Sequence, residues 1–306
     1  MSIKKKARLT ILTVVSAAFV ANLIVHNIFY NPHNNLEKTY RIFTSLNLML
    51  SPAVTEAAII PHGQWIPPVW PTFSIHRPLQ FRFLRSSAIR NRHAGPFTIG
   101  TFDIRFGRAT LRDYDDGLEF GELTIPQSVF LPPFSHSQNY WAAVSHDTFY
   151  IVWIGFDEPM DGYTFIEQFG AFYHPNLAIH SGISWIAVKT TDDPEDICLG
   201  VGGTMNVQLM WLSEIFERQL GEYHLGESTS LFITYLRFLI DNQSVADIFI
   251  NTGLWEGAEM VNFGERLAFI EENGIQYLGF VAYIRGKDLR EFEKEGINII
   301  RLIEDK

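Results

Sequence analysis

A long uncharged run near the start of the chain constrains this sequence more than any other feature. It extends from Leu9 to Tyr30 and comprises 22 residues, which as an α-helix would span about 33 Å. The hydrocarbon core of a bilayer is about 30 Å thick. Four basic residues precede the run: Lys4, Lys5, Lys6 and Arg8. Because basic flanks stay in the cytoplasm, we predict a cytoplasmic tail over 1–8, a transmembrane helix over 9–30 and export of the rest.

A cleaved signal peptide is the competing interpretation of this run. Ser16, Ala17 and Ala18 are small residues of the kind that precede a cleavage site. Apolar residues continue beyond them from Phe19 to Ile28, and this favours an uncleaved anchor. We therefore expect a single-pass protein of the cell membrane, with its N-terminus in the cytoplasm and its C-terminal part outside.

Composition excludes several classes of protein. Of the 306 residues, 47% are hydrophobic and 19% charged, which is too apolar for a disordered or low-complexity chain. A single cysteine, Cys198, excludes an intramolecular disulfide and a multi-cysteine metal site. The net charge of −10 argues against a nucleic-acid partner, which would require clustered basic residues. What remains is a well-packed, membrane-associated protein.

Charge is divided unevenly after the anchor. Residues 31–112 hold ten basic and three acidic side chains (+7), and residues 113–306 hold ten basic and 31 acidic ones (−21). Two domains that attract each other, or a basic layer facing lipid headgroups, would explain this division. An ordinary surface on which charges happen to cluster explains it as well, and the alternatives stay open.

The region over 31–135 is predicted to be a small β-rich juxtamembrane segment. It would begin with a short helix over Leu36–Leu50. Five prolines between Pro61 and Pro78 predict an extended loop there. Alternating phenylalanines and isoleucines predict short strands around Phe81 and over 97–106. Turns or loops are expected over 113–117 and 126–137.

The remainder, 136–306, is predicted to be a C-terminal extracytoplasmic domain of α+β or α/β class, with a sheet of about four strands covered by helices. Apolar runs give the strands: 148–156, 182–189, 275–284 and 297–303. Helical spacing of apolar residues gives the helices: 163–172, 232–240, 260–270 and 286–295. An acidic turn containing Pro159 is expected over 157–162.

No catalytic, cofactor-binding or metal-ligating residue is predicted, and no cofactor is expected. The histidine and aspartate candidates are too far apart in sequence to imply a site: His136, His146, Asp147, His174 and His180. Gly200, Gly202 and Gly203 lack the spacing of a phosphate-binding loop and are interpreted as a flexible turn. Cys198 is interpreted as a buried side chain rather than a nucleophile.

Two charged groups remain as surface candidates. The first consists of adjacent carboxylates, more typical of a solvated turn than of a cation site: Asp157, Glu158, Asp192, Asp193, Glu195 and Asp196. The second is an arginine patch: Arg77, Arg82, Arg85, Arg90 and Arg92. This patch would bind anionic headgroups or pair with the acidic C-terminal half.

The order of these elements resembles that of the sigma-factor regulator family, which are bacterial single-pass anti-sigma factors with an extracytoplasmic regulator domain. Three passages carry the resemblance: TFYIVWIGFDEPMDGYTFIEQFG, GISWIAVKTTDDPEDICLG and RLAFIEENGIQYLGFVAYIRGKDLREFEKEGINIIRLIE. The apolar segment LFITYLRFLIDNQ lies between the second and the third. The stretch over 31–112 is similar more weakly, so the resemblance extends over most of the chain.

The resemblance implies a sensor that acts by binding a partner or ligand rather than by catalysis. Members of the family that restrain a sigma factor use a cytoplasmic domain before the membrane helix, whereas residues 1–8 cannot form an interface of about 800 Å². We therefore expect a membrane or extracytoplasmic protein partner, such as a separate anti-sigma subunit. An exported enzyme without a recognisable motif, and a passive envelope scaffold, are the alternatives.

Overall fold

The computed structural model describes residues 10–21, 35–52, 54–59, 74–83, 97–105, 108–112, 124–134, 137–169, 182–202 and 226–305. The chain divides into two compact units, Met1–Arg41 and Ile42–Lys306. In the first unit, residues 10–21 form helix α1. Helix α2, Asn35–Leu50, begins in the first unit and ends in the second.

Within the second unit, four strands form an antiparallel sheet in sequence order. They are β1 (Val54–Ile59), β2 (Ser74–Phe83), β3 (Phe97–Arg105) and β4 (Arg108–Arg112). The predicted strands around Phe81 and over 97–106 are thus confirmed. The predicted loop over Pro61–Pro78 is wrong at its end, since Ser74–Pro78 belong to β2. Pro78 lies opposite Thr101 of β3.

A larger sheet of five strands forms the centre of the second unit, in the order β7-β6-β8-β5-β9. The strands are β5 (Phe149–Asp161), β6 (Gly182–Val188), β7 (Leu199–Gly202), β8 (Gln276–Arg285) and β9 (Ile297–Asp305). Every pair in the sheet is antiparallel. The class is therefore α+β, which confirms the coarser of the two predicted classes.

Helices lie between and around these strands. They are α3 (Ser137–Ala143), α4 (Gly162–Phe169), α5 (Gly226–Asp241), α6 (Gln243–Ile250), α7 (Phe263–Asn273) and α8 (Gly286–Leu289). Short 3-10 turns occur at Gln127–Phe130, Ala258–Met260 and Arg290–Phe292. The α7 helix begins at the side chain of Asn262, which accepts hydrogen bonds from the Gly264 and Glu265 amides. It ends at Gly274, whose φ of +74° favours glycine.

The predicted acidic turn over 157–162 is wrong, because β5 continues to Asp161. The pairing of β5 with β8 shifts between Gly155, opposite Gly279, and Met160, opposite Tyr277. Four residues of β5 are thus looped out of the ladder. Pro159 lies within this irregular stretch and lacks an N–H to donate. Turn-forming residues therefore mark a bulged strand here rather than its end.

The two faces of the five-stranded sheet are both apolar. Alternation along β5 places Tyr150, Val152 and Ile154 on one face and Ile151 and Trp153 on the other. The first face carries a cluster of aromatic rings with centroid distances of 5.0–6.2 Å: Phe156, Phe165, Phe169, Phe280 and Phe292. Through this cluster α4 packs on the sheet.

On the second face Phe130 fixes the 3-10 turn Gln127–Phe130 to the sheet. Its ring stacks on Trp153 at 5.9 Å and lies 6.0 Å from the ring of Trp185. Gly279 makes this approach possible, since a Cβ there would lie 2.7 Å from Cδ1 of Phe130. A single 3-10 turn therefore covers the middle of the sheet where the first face has helices.

Candidate functional site

Helix α1 is the part of the described chain whose surface most clearly requires another molecule. Six large apolar side chains of this helix are between 51% and 67% exposed: Ile11, Leu12, Val14, Val15, Phe19 and Val20. They lie on all sides of the helix rather than on one stripe. Such a helix is stable when an apolar environment surrounds it.

The predicted transmembrane helix over 9–30 is only partly described. Helix α1 covers 10–21, and positions 9 and 22–30 lie outside the described residues. Among the helices that the structure describes, none reaches the length and apolarity needed to cross a membrane. The predicted span and the predicted tail over 1–8 therefore stay predictions.

The acidic loop, residues 189–198, is tied down by one buried glutamine. Gln127 donates through Nε2 to the carbonyl oxygens of Thr191 (3.4 Å) and Asp193 (3.0 Å), and its Oε1 accepts from the Thr190 amide (3.1 Å). The Gln127 amide itself donates to the Asp196 carbonyl at 2.8 Å. The 3-10 turn that packs on the sheet therefore also determines the path of the acidic loop.

An ion pair joins the acidic loop to helix α7. Arg266 is 8% exposed and its Nη1 lies 2.8 Å from Oδ2 of Asp196. The hydrogen bond from Arg266 holds the pKa of the Asp196 carboxyl below its ordinary value, although partial burial acts in the opposite direction. Asp196 is thereby kept ionised and engaged by a cation of the protein itself.

The other carboxylates of the loop lie at the surface. Asp192, Asp193 and Glu195 are exposed, and Nζ of Lys189 lies 2.8 Å from Oδ1 of Asp192. The Glu195 amide donates to Oδ1 of Asp193. In the described part of the chain, no group of three or more histidine, cysteine, aspartate or glutamate side chains is arranged to hold a metal ion.

Asp147 and His146 precede strand β5 and are both exposed. Oδ1 of Asp147 accepts from Nη2 of Arg285 at 2.7 Å, and the His146 carbonyl accepts from the Lys287 amide at 3.0 Å. The Asp147 carboxylate thus closes the connection between β5 and β8. The remaining histidine candidates, His136, His174 and His180, lie outside the described residues.

The interpretation of Gly200 and Gly202 as part of a flexible turn is wrong. Both belong to the buried edge strand β7. A Cβ on Gly200 would lie 2.2 Å from the Trp185 ring, and one on Gly202 would lie 2.8 Å from Cδ2 of Leu48. These glycines allow a tryptophan and a helix to approach the strand closely. Gly203 lies outside the described residues.

Cys198 is fully buried in the acidic loop, next to β7. Burial raises the pKa of its thiol well above the ordinary value. The side chain therefore stays a protonated thiol at neutral pH, which agrees with its interpretation as a buried core residue.

The arginine patch is placed in part. Arg77 and Arg82 both belong to strand β2, where their odd spacing puts them on opposite faces of a regular strand. The register of β2 against β3 shifts between Leu79 and Gln80, which changes that alternation. Arg85, Arg90 and Arg92 lie outside the described residues.

Sequence reasoning missed the residues that organise this part of the molecule. Gln127 and Arg266 are isolated in sequence from the groups that they bind, by 63 and 70 positions for Thr190 and Asp196 respectively. The available signal was the apolar neighbourhood of each: a polar residue inside an otherwise apolar run is expected to have a specific partner. That signal does not identify the partner.

No function is supplied by similarity to known proteins. Comparison of the chain with known protein families, with curated proteins and with solved structures finds no match in any of the three.

Proposed function

We propose that this chain is a membrane-anchored binding protein whose α+β domain lies outside the cytoplasm and receives a protein partner or ligand. The observation that carries the proposal is helix α1, with its six exposed apolar side chains. This helix lies inside an uncharged run of 22 residues that follows four basic ones. Lipid acyl chains supply the apolar surroundings that the α1 surface requires, and basic flanks orient such a helix.

Binding, rather than turnover, is favoured by what the reactive side chains do. The carboxylates of Asp147 and Asp196 are engaged by Arg285 and Arg266, and the thiol of Cys198 is buried and protonated. In each case the group stabilises the fold. A surface that recognises a partner needs no activated nucleophile or paired acid and base.

The finer proposal is a regulator of the sigma-factor regulator type. Its support is the sequence resemblance and the order of elements that carry it, from β5 and α4 through β6 and α5 to α7, β8, α8 and β9. On this proposal the partner is a membrane or extracytoplasmic protein, such as a separate anti-sigma subunit. Signal transfer requires that the partner or ligand distinguishes two states of the chain.

Membrane attachment is tested by alkaline carbonate extraction of the full chain expressed in a bacterial host. We expect the wild-type chain to stay in the membrane pellet. The double variant Val15→Asp/Phe19→Asp should be released, because a carboxylate inside the hydrocarbon core is costly. Met260→Asp is the matched control, since Met260 is also exposed (79%) but belongs to the α+β domain. Extraction of the wild-type chain, or equal behaviour of both variants, would overturn the proposal.

The regulatory role is tested by a transcript profile after deletion of the gene in its native host. We expect one compact group of transcripts to rise. Complementation with the wild-type gene should restore it, and complementation with Val15→Asp/Phe19→Asp should not. Unchanged transcription would eliminate the regulatory proposal while leaving the membrane anchor intact.

A further inference from the structure

The second half of helix α2 lies inside the core of the α+β domain. Residues 42–51 are all buried, and Ile42, Phe43, Leu46, Met49 and Leu50 are fully so. A helix buried on every side is typical of the centre of a large domain. The ring of Phe43 lies 5.6 Å from Phe249 and 5.4 Å from Trp255, so α2 packs directly on α6 and on the turn that follows it.

Polar side chains run along one side of this buried helix. Thr44, Asn47 and Ser51 are spaced by three and four residues and are 5%, 1% and 1% exposed. Oγ of Ser51 accepts a hydrogen bond from Nε1 of Trp255 at 2.9 Å. By contrast, Oγ1 of Thr44 and Oδ1 of Asn47 have no hydrogen-bond partner in the part of the chain that the structure describes. Apolar side chains of similar shape would pack there without this penalty.

Two indole groups hold the C-terminal end of the same helix. Nε1 of Trp185, from strand β6, donates to the Leu48 carbonyl at 2.9 Å. Nε1 of Trp255 donates to Ser51. A displacement of α2 that supplied partners to Thr44 and Asn47 and released these two indoles would leave the number of hydrogen bonds unchanged. The two positions would then be close in free energy.

We propose that α2 is a two-position coupling helix, and that the position with Trp185 and Trp255 bonded is one of its two states. In the second state Thr44 and Asn47 make hydrogen bonds and the indoles do not. The inference rests on the proposed function for what is coupled: α2 begins four residues after the predicted anchor. A displacement of the anchor in the bilayer would thus reach the centre of the domain along a continuous helix.

The test is nuclear magnetic resonance of the indole N–H groups in the full chain, held in detergent micelles. Relaxation dispersion detects exchange on the microsecond-to-millisecond scale. We expect exchange at the indoles of Trp185 and Trp255 in the wild type. Trp153, whose ring stacks on Phe130 away from α2, is the internal reference and should show none.

Apolar replacement of the unpartnered groups should favour the observed position. In Thr44→Val/Asn47→Leu we expect the minor population to fall about tenfold or more, with Thr44→Val alone giving a smaller decrease. Thr190→Val is the matched control, because Thr190 is also 1% exposed with an unpartnered Oγ1 but lies in the acidic loop. It should leave the exchange unchanged.

Absence of exchange at Trp185 and Trp255 in the wild type, or exchange that persists unchanged in Thr44→Val, would overturn the coupling helix. An unchanged Trp153 resonance reports that each variant is folded. Failure of the proposed function is distinguished separately, because carbonate extraction of the same chain reports on the anchor whatever α2 does.

Discussion

At the scale of single residues, polar groups that look unremarkable in the sequence determine how the surface loops are held. Gln127 is 1% exposed and makes three side-chain hydrogen bonds to the acidic loop. An amide fits because it offers both donors and an acceptor in one plane. The exposed carboxylates of this loop attract attention in the sequence, yet the loop depends on the neutral residue beneath it.

Replacing Gln127 should therefore cost more than replacing any of those exposed carboxylates. Gln127→Leu leaves the Thr190 amide and two carbonyls without this partner, and we expect the free energy of unfolding to fall by about 2–4 kcal/mol. Denaturant unfolding of the full chain measures it. Gln243→Leu, at an exposed position of α6, should change it by less than about 0.5 kcal/mol. Equal effects of the two variants would contradict the role of Gln127.

Asp196 should give stability a dependence on acid pH. Its pKa in the folded chain lies below the ordinary value of 3.8, so the unfolded chain takes up the proton first as pH falls. The stabilisation is complete above that ordinary value and is lost as pH falls through the folded value. We expect Asp196→Asn to lower the free energy of unfolding by about 1 kcal/mol at pH 6, since the carboxylate is 36% exposed.

The measurement is the difference in unfolding free energy between the wild type and Asp196→Asn at a series of pH values from 6 down to 3. This difference should shrink below pH 4. Subtraction removes the contribution of Asp161, whose carboxyl pKa is also lowered, chiefly by the hydrogen bond from the Thr164 hydroxyl. A difference that stays constant with pH would show that the Arg266 pair is not responsible.

At the scale of elements, the least predictable strand is the one whose residues look least like a strand. Strand β7 consists of Leu199, Gly200, Val201 and Gly202, and two glycines in four residues predict a turn by local preference. The strand forms because Trp185 of β6 and Leu48 of α2 occupy the space where side chains would be. This is a tertiary cause, which no local pattern contains.

Gly200→Ala tests that cause. A Cβ at this position would lie 2.2 Å from the Trp185 ring and 2.5 Å from the Ile186 carbonyl oxygen. We expect a loss of more than about 3 kcal/mol in unfolding free energy, because backbone and a fully buried ring cannot both move aside. Thermal unfolding followed by near-ultraviolet circular dichroism measures it.

Gly264→Ala is the control for this substitution, since its nearest contact is 3.3 Å from a side-chain oxygen of Asn262. It should change stability by less than about 1 kcal/mol. A Gly200→Ala chain as stable as this control would show that β7 does not need its glycine.

The longer elements were predictable because local pattern and tertiary role agree. The apolar runs that become β5, β6, β8 and β9 are buried over most of their length on both faces of the sheet, as continuous apolar strands should be. The helix over Leu36–Leu50 is confirmed within one residue. Its burial was not predictable, because Thr44, Ser45 and Asn47 give it the appearance of a helix with a solvated side.

At the scale of the whole molecule, a domain with an apolar core on both faces of its sheet and a separate helix with an apolar exterior need different surroundings. Burial accounts for the first, since the core forms within the α+β domain itself. The second, helix α1, exposes large side chains that water solvates poorly. Membrane anchoring with an external binding domain satisfies both requirements in one chain.

The most direct test of this account is the side of the membrane on which the α+β domain lies. Burial and protonation of Cys198 make the native thiol unreactive, so single cysteines can be introduced and labelled with a membrane-impermeant maleimide. Tyr163→Cys, at a position that is 78% exposed, should be labelled in intact cells. Ser2→Cys, in the predicted tail, should be labelled only after permeabilisation and on a chain of full length. Labelling of Tyr163→Cys only after permeabilisation would contradict the account.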